Sequence, residues 1–141
     1  TRLFLPEMVK RNSGKILNVS STASFMPGPL QAVYFATKAY VTYFSNALAE
    51  ALHDTQVTET NLMPGATATE FAKTSGMDKS GLFEKTVTAS SVAEDGYRGM
   101  LEGKLDVISG LTPSQKLMMK MIPFTPKRVL LKQVRQMQEI R

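Results

Sequence analysis

The chain has 141 residues, of which 43% are hydrophobic, and a formal net charge of +5. This length suits one domain with its own core, and the absence of cysteine excludes a disulfide-stabilised scaffold. The sequence shows no apolar run near the roughly 20 residues that a membrane-spanning helix needs, no signal peptide, no internal repeat and no cluster of metal ligands. We therefore expect a cytoplasmic protein without a metal site.

The first predicted strand is the run GKILNVSS, residues 14–21, which starts with glycine, is mainly apolar and ends in two hydroxyl side chains. We expect Asn18, inside this strand, to hold neighbouring backbone through its side-chain amide. A loop with two prolines follows over Thr22–Gln31. Ser21 therefore lies at the carboxyl end of a strand, the edge at which open α/β sheets bind their ligands.

The next predicted element is a helix that begins close to Tyr34, and Lys38 follows Tyr34 by one helical turn. Residues four positions apart share a helix face. A cation at that distance stabilises a phenolate and lowers the pKa of a tyrosine from its usual value of about 10. Such a tyrosine exchanges a proton with a carbonyl or alcohol oxygen while the Ser21 hydroxyl binds the same oxygen. A Tyr–Lys pair alone is more often a solvated helix face, but its position after Ser21 indicates carbonyl/alcohol redox chemistry.

This helix is predicted to extend to about Leu52 and to pack one face on the sheet. Its apolar residues are Val33, Tyr40, Val41, Phe44, Leu48 and Leu52. Small alanines between them would admit a partner helix, so a homo-oligomer through helix 34–52 and a tight contact within the chain are both open. We expect His53 to be a solvated residue that stabilises the helix end, and not a catalytic residue or a ligand.

A second strand is predicted over Val57–Met63. Glu59 and Asn61 are unexpected there, because a buried parallel strand favours apolar side chains. The sequence pattern offers no explanation for Glu59. The strand ends at Pro64–Gly65, a dipeptide that is also typical of an ordinary turn.

Two further segments follow this turn. Phe71–Phe83 combines apolar side chains with two glycines, which predicts a mobile flap over a substrate, with a plain surface loop as the alternative. Ser91–Glu94 has the capping-box pattern and predicts a helix that runs to about Leu101.

The positive charge is concentrated at the end of the chain. From Thr112 onward, seven Lys or Arg stand against the single acid Glu139, a balance of +6, while residues 1–111 have a balance of −1. Thr125–Pro126 predicts a helix start. Leu130, Val134 and Met137 form an apolar stripe on this helix, which either packs on the domain, as we favour, or lies on an anionic membrane or a partner protein. No nucleic-acid motif accompanies the charge, so we expect no nucleic-acid partner.

Three motifs in register resemble the short-chain dehydrogenase/reductase family: NVSS (residues 18–21), YFATK (residues 34–38) and PGATATEF (residues 64–71), with Ser21 thirteen positions ahead of Tyr34. The segment EGKLDVISG, residues 102–110, is similar to the last sheet strand of the family. The resemblance implies an α/β fold, the C-terminal half of a doubly wound parallel-sheet (Rossmann-like) domain with its N-terminal half missing. The family's Gly-rich phosphate loop, its Asn-Asn-Ala-Gly segment and its tetrad Asn belong upstream of Thr1.

The resemblance also implies the roles of the polar residues. Tyr34 would be the catalytic acid/base, and Ser21 would bind and polarise the substrate carbonyl. Lys38 would support Tyr34 and, together with it, contact the nicotinamide ribose of NAD or NADP. The cofactor, and not the protein, supplies the hydride in such a reaction.

The third motif would form the rest of the cofactor site. Pro64 and Gly65 would turn beneath the nicotinamide, and its carboxamide would be met by the backbone of Thr67 and the hydroxyl of Thr69. The resemblance further implies a dimer or tetramer through helix 34–52.

The sequence as a whole predicts an NAD(P)-dependent oxidoreductase, truncated in this chain, that acts on a small-molecule carbonyl or secondary alcohol. Residues 1–111 would form its catalytic half and residues 112–141 a basic C-terminal helical extension. The alternative is a non-catalytic remnant that binds a membrane surface or a protein partner through the basic C-terminal helix.

Overall fold

The computed structural model describes residues 1–76 and 85–139. Within these ranges, a three-stranded parallel sheet has the order β1-β2-β5, and a short parallel pair joins β3 to β4. The strands are β1 (Gly14–Val19), β2 (Val57–Pro64), β3 (Thr67–Ala68), β4 (Val87–Thr88) and β5 (Asp106–Ser109). The predicted α/β class with a parallel sheet is therefore confirmed.

Six α-helices accompany the strands in the described part of the chain, and none of them is long and apolar enough to cross a membrane. They are α1 (Leu5–Lys10), α2 (Ala32–Ala51), α3 (Phe71–Thr74), α4 (Ala89–Leu101), α5 (Pro113–Met121) and α6 (Lys127–Gln138). Short 3-10 turns lie at Thr22–Phe25 and Ile122–Phe124. The helix predicted to start near Tyr34 thus begins two residues earlier.

Helices α2 and α4 cover the two faces of the sheet. Successive side chains of β2 point to opposite faces: Asn61 donates to Thr42 on α2, whereas Leu62 packs against Gly96 on α4. A Cβ at Gly96 would lie 2.6 Å from the Leu62 side chain, so the glycine lets α4 approach the sheet closely. The central strand β2, with its apolar Val57, Leu62 and Met63, is buried between these layers.

The face of α2 that meets the sheet is only in part the predicted apolar one: Leu52 is buried, and Val41 and Leu48 are half-buried. Val33, Tyr40 and Phe44 are exposed, and Ser45 is buried instead. The physical reason is that the sheet presents polar side chains to this helix, which require hydrogen-bond partners there. The prediction for Val33, Tyr40 and Phe44 is therefore wrong, and their exposure leaves an apolar outer face on α2.

The expected backbone contact of Asn18 is also wrong. Its Nδ2 atom donates to Ser45 Oγ at 3.1 Å and to Glu59 Oε1 at 2.8 Å. Burial raises the pKa of Glu59, while hydrogen bonding from Ser45 and Asn18 acts in the opposite direction. Glu59, which had no explanation from the sequence, is thus one member of a buried polar cluster between α2 and the sheet.

Two predicted helix starts are corrected. Thr88, and not Ser91, caps α4, because the Thr88 hydroxyl accepts from the Ser91 backbone N–H at 3.2 Å. Thr125 does not cap α6: its hydroxyl donates to the carbonyl of Met121 at 3.3 Å. A complete capping box lies at Thr112 instead, where α5 begins, a helix that was not among those predicted from the sequence.

Candidate active site

A cavity of about 790 Å³ lies where β1 and β2 end. Its lining includes every predicted site residue, namely Ser21, Tyr34, Lys38, Pro64, Gly65, Thr67 and Thr69. These residues come from a strand end, the first turns of α2 and the loop after β2. The parallel topology brings them together because the carboxyl ends of neighbouring strands meet at one edge.

Ser21 follows β1 and contacts the end of β2 through its side chain. Its backbone is extended, and its Oγ accepts from the Ala23 N–H at 3.1 Å, which caps the 3-10 turn that follows. The same hydroxyl faces the Pro64 carbonyl at the long distance of 3.5 Å. The hydroxyl therefore has a fixed position at the cavity wall and only a weak acceptor for its own proton.

Tyr34 is held between two phenylalanine rings. The Tyr34 ring packs edge-on against Phe35, with centroids 5.8 Å apart, and tilted against Phe71, with centroids 5.3 Å apart. Gly28 makes room for this arrangement, since a Cβ there would lie 2.1 Å from the Phe35 ring. Phe71 begins the predicted flap, of which residues 71–76 are described and residues 77–83 lie outside the described ranges.

Lys38 lies beside Tyr34, as the four-residue spacing predicts. Its Nζ is 5.9 Å from the centroid of the Tyr34 ring and donates to the Val19 carbonyl at 3.2 Å. Burial lowers the pKa of Lys38. The ammonium group is therefore tied to the end of β1 and faces the phenol ring.

Ser20 fixes the backbone of Lys38, a role that the sequence reasoning missed. Its hydroxyl donates to the Lys38 carbonyl at 2.8 Å and lies 2.7 Å from the Thr42 hydroxyl. Asn61 donates from Nδ2 both to Thr42 Oγ1 at 3.4 Å and to Asp106 Oδ1 at 2.9 Å. This network connects α2 to the residue after β1, to β2 and to β5. The two adjacent serines of the NVSS motif were the only sequence signal for it.

The turn after β2 is connected to β5. The Gly65 N–H donates to the Ser109 carbonyl at 2.9 Å, and a Cβ at Gly65 would lie 3.0 Å from the Leu111 side chain. The Thr67 hydroxyl donates to the Gly65 carbonyl at 3.0 Å. The Thr69 oxygen accepts from the Phe71 N–H at 3.3 Å, which leaves the hydroxyl proton of Thr69 available to another acceptor.

The basic C-terminal segment contributes to the same cavity, which the sequence did not predict. Met119 on α5 and Val134, Met137 and Gln138 on α6 line it. Val134 is only 1% exposed, whereas Met137 remains exposed. Helix α6 therefore packs on the domain through part of its predicted apolar stripe.

The family model for short chain dehydrogenases matches residues 1–80, which include every predicted site residue. This match spans more than half of the chain. The chain belongs to the short-chain dehydrogenase/reductase family. The family resemblance of the NVSS, YFATK and PGATATEF motifs is therefore confirmed.

Individual relatives agree with this membership. The chain is 45% identical over 73 residues to the very-long-chain 3-oxoacyl-CoA reductase of Mus musculus, a match that covers 52% of this chain and 23% of that protein. It is 45% identical over 87 residues to the NADP-dependent 3-hydroxy acid dehydrogenase of Escherichia coli K12, covering 61% of this chain and 35% of that protein. The chain thus spans only about a quarter to a third of these relatives.

A solved structure supports the fold over nearly the whole chain. The short-chain dehydrogenase of Sphingobium yanoikuyae, in complex with NADPH, superimposes with a TM-score of 0.70 at 24% sequence identity. The superposition covers 95% of this chain and 51% of that protein. The Rossmann-like fold therefore extends beyond residue 80, where the family match ends.

Proposed function

We propose that the protein is an NAD(P)-dependent oxidoreductase that interconverts a small-molecule carbonyl and a secondary alcohol. The observation that carries this proposal is that Ser21, Tyr34 and Lys38 line one cavity, with the Lys38 ammonium 5.9 Å from the Tyr34 ring centroid. The names of the relatives, a reductase and a dehydrogenase, support the reaction class.

The proton chemistry follows from the placement of these side chains. In reduction, the Ser21 hydroxyl binds the substrate oxygen, and Tyr34 donates its phenolic proton to that oxygen. The Lys38 ammonium, held at the Val19 carbonyl, attracts the phenolate that remains. In alcohol oxidation, Tyr34 takes the proton instead. Phe35 and Phe71 restrict the motion of the Tyr34 ring, which favours a single position for proton transfer.

The residues at the turn after β2 fit the nicotinamide end of a dinucleotide. Gly65 presents backbone without a side chain in a tight space, and Thr69 has a free hydroxyl proton for a carboxamide oxygen. Lys38 would contact the ribose, and the backbone of Thr67 would contact the carboxamide. A bound nicotinamide cofactor would supply the hydride. We keep NAD and NADP as equal alternatives for this chain.

The cavity lining suits a partly apolar substrate. Beyond the polar group around Tyr34, it is formed mainly by hydrocarbon and thioether side chains, among them Met26, Leu62, Phe71, Val92 and Met137. Burial of apolar substrate groups against these side chains would be favourable, whereas a second charged group would lack a partner there. We therefore propose a small to medium-sized carbonyl or secondary alcohol with an apolar substituent.

The exposed face of α2 supports the proposed homo-oligomer. Val33, Tyr40 and Tyr43 are exposed on this helix, and the Tyr40 and Phe44 rings stack with centroids 6.0 Å apart. Covering such an apolar face in a symmetric dimer would remove it from water. Light scattering after size-exclusion chromatography should show a dimer or larger oligomer, and Tyr43→Ser should shift it towards monomer.

We further propose that the chain is part of a longer polypeptide, and the reaction class can be tested with that full-length polypeptide. Oxidation of NADH or NADPH should be followed with a series of aldehydes and ketones of increasing apolar size. The proposal predicts turnover that rises with apolar substituent size until the cavity is filled. A polypeptide that binds either cofactor but turns over no carbonyl or alcohol would favour the non-catalytic alternative. We also propose a cytoplasmic location, which fractionation of cells can test.

A further inference from the structure

Helix α5 and the 3-10 turn after it carry large apolar side chains on their outer side. Leu117, Met118, Met121 and Phe124 are 63%, 58%, 53% and 78% exposed. We call these four residues the α5 apolar face. Met119 lies on the other side of the same helix, where it is half-buried and lines the cavity. The helix therefore turns Met119 towards the cavity and a larger apolar surface outwards.

Four cationic residues lie close to the α5 apolar face in the sequence. Lys116 and Lys120 lie one turn apart on the flank of the helix, and Lys127 and Arg128 follow shortly after Phe124. All four side chains are exposed, and none forms an ion pair within residues 1–76 and 85–139. No Asp or Glu occurs from residue 112 to residue 138. The segment therefore combines an exposed apolar face with nearby positive charges, and it has no acidic residue up to Gln138.

The helix that presents this face is locally stabilised. The Thr112 hydroxyl accepts from the Gln115 N–H at 3.3 Å, the Gln115 side chain accepts from the Thr112 N–H at 2.8 Å, and Pro113 follows the cap. This complete capping box fixes the helix start without help from a core. The face is thus preformed in the free protein, which reduces the ordering required on binding.

We propose that the α5 apolar face is a docking surface for the interfacial region of an anionic lipid bilayer. Charge complementarity selects this occupant. The negative lipid headgroups would attract the nearby Lys and Arg side chains, while the apolar side chains would enter the interfacial region. The methylenes of Lys116 and Lys120 extend along such an interface while their ammonium groups reach the headgroups. The flexible methionines adapt to the irregular acyl boundary.

A second copy of the chain is the less suitable occupant. A two-fold axis through the α5 apolar face would place Lys116 and Lys120 of one copy against the same cations of the other. The proposed docking is to the bilayer surface, and no described helix is long and apolar enough to cross it. Because Met119 lines the cavity from the inner side of α5, docking places the candidate active site about one helix diameter, roughly 10 Å, from the lipid surface.

Vesicle co-sedimentation of the full chain tests this proposal. Vesicles of phosphatidylcholine alone and of phosphatidylcholine with phosphatidylserine should be compared at about 0.15 M salt. Wild type should bind the anionic vesicles and not the neutral ones. Leu117→Ser/Met121→Ser and Lys116→Gln/Lys120→Gln should each lower the partition coefficient by about tenfold. The matched control, Lys10→Gln/Lys15→Gln, removes two exposed cations elsewhere and should change it less than about twofold.

Circular dichroism and thermal melting should show that these variants, all at exposed positions, fold like wild type. Three results would overturn the proposal: no binding of wild type to anionic vesicles, binding that the α5 variants retain, or an equal loss in the Lys10→Gln/Lys15→Gln control. Sedimentation velocity provides a further arm. If wild type forms an oligomer that the Leu117→Ser/Met121→Ser variant does not form, and if wild type does not bind vesicles, a second copy of the chain is the occupant. That result would also overturn the membrane proposal.

Discussion

The Lys38 ammonium group lies 5.9 Å from the centroid of the Tyr34 ring and donates to the Val19 carbonyl at 3.2 Å. This relationship connects the end of β1 to the first turns of α2. It also places Tyr34 and Lys38, which are four positions apart in the sequence, together in the lining of the cavity. A positive charge fixed beside a phenol is the feature on which the proposed proton transfer depends.

Lys38→Ala should therefore lower both turnover and cofactor affinity in the full-length polypeptide. The loss of a hydrogen bond to a charged group predicts roughly a tenfold to hundredfold decrease in kcat/KM. Steady-state kinetics with calorimetric cofactor binding measures both effects. Lys15→Ala, an exposed cation on β1, is the matched control and should leave both values unchanged. Full cofactor affinity in Lys38→Ala would contradict the proposed ribose contact.

Burial also predicts a pH effect at Lys38. Because burial lowers the pKa of Lys38, the ammonium group loses its proton at a lower pH than the ordinary lysine value of about 10.4. Turnover should therefore decline with rising pH, at a lower pH than the one at which an exposed lysine loses its proton. Lys38→Arg keeps its charge throughout this range, so any remaining activity of that variant should lack this decline.

Glu59→Gln should change the pH dependence of stability. Burial raises the folded-state pKa of Glu59 above its unfolded value, so its contribution to stability is complete below the unfolded pKa of about 4.3 and is lost as pH rises through the folded pKa. The variant should show a smaller decrease in the free energy of unfolding between about pH 4 and pH 8. Denaturant titrations measure this, with the exposed Glu50→Gln as control. Identical pH profiles for wild type and Glu59→Gln would contradict the account.

The 141-residue chain alone should bind neither NAD nor NADP tightly. Its sequence has no Gly-rich loop at a helix N-terminus to hold the pyrophosphate, and the turn after β2 is proposed to contact only the nicotinamide end. Isothermal titration calorimetry should show no micromolar binding of either cofactor. A micromolar dissociation constant would show that another part of this chain holds the phosphates.

β1, β2 and the gathering of the proposed site residues in one cavity could be predicted because their signals are local. β1 follows a mainly apolar run that ends in Ser21, β2 ends at the turn residues Pro64 and Gly65, and the Tyr34–Lys38 spacing needs only a helix to bring both residues to one face. The inward face of α2 was not predictable in this way, because Thr42 and Ser45 are selected by Asn18, Glu59 and Asn61 on distant strands.

The pairs Thr112–Pro113 and Thr125–Pro126 show a finer limit in predicting helix starts from the sequence. Both look like helix starts, but only Thr112 has a residue three positions later, Gln115, whose side chain accepts from the cap backbone. Arg128 takes the equivalent place after Thr125 and has no acceptor atom. This difference was present in the sequence, and it explains why α5, and not α6, begins with a capping box.

The most direct test of the proposed mechanism is the turnover of Tyr34→Phe in the full-length polypeptide. The substitution removes only the hydroxyl and retains the ring that packs between Phe35 and Phe71. Tyr43→Phe, at an exposed position on the same helix, is the matched control. We predict a decrease in kcat of about 10² to 10⁴ for Tyr34→Phe, with cofactor affinity nearly unchanged, and no decrease for Tyr43→Phe. Wild-type turnover in Tyr34→Phe would contradict the assignment of Tyr34 as the acid/base.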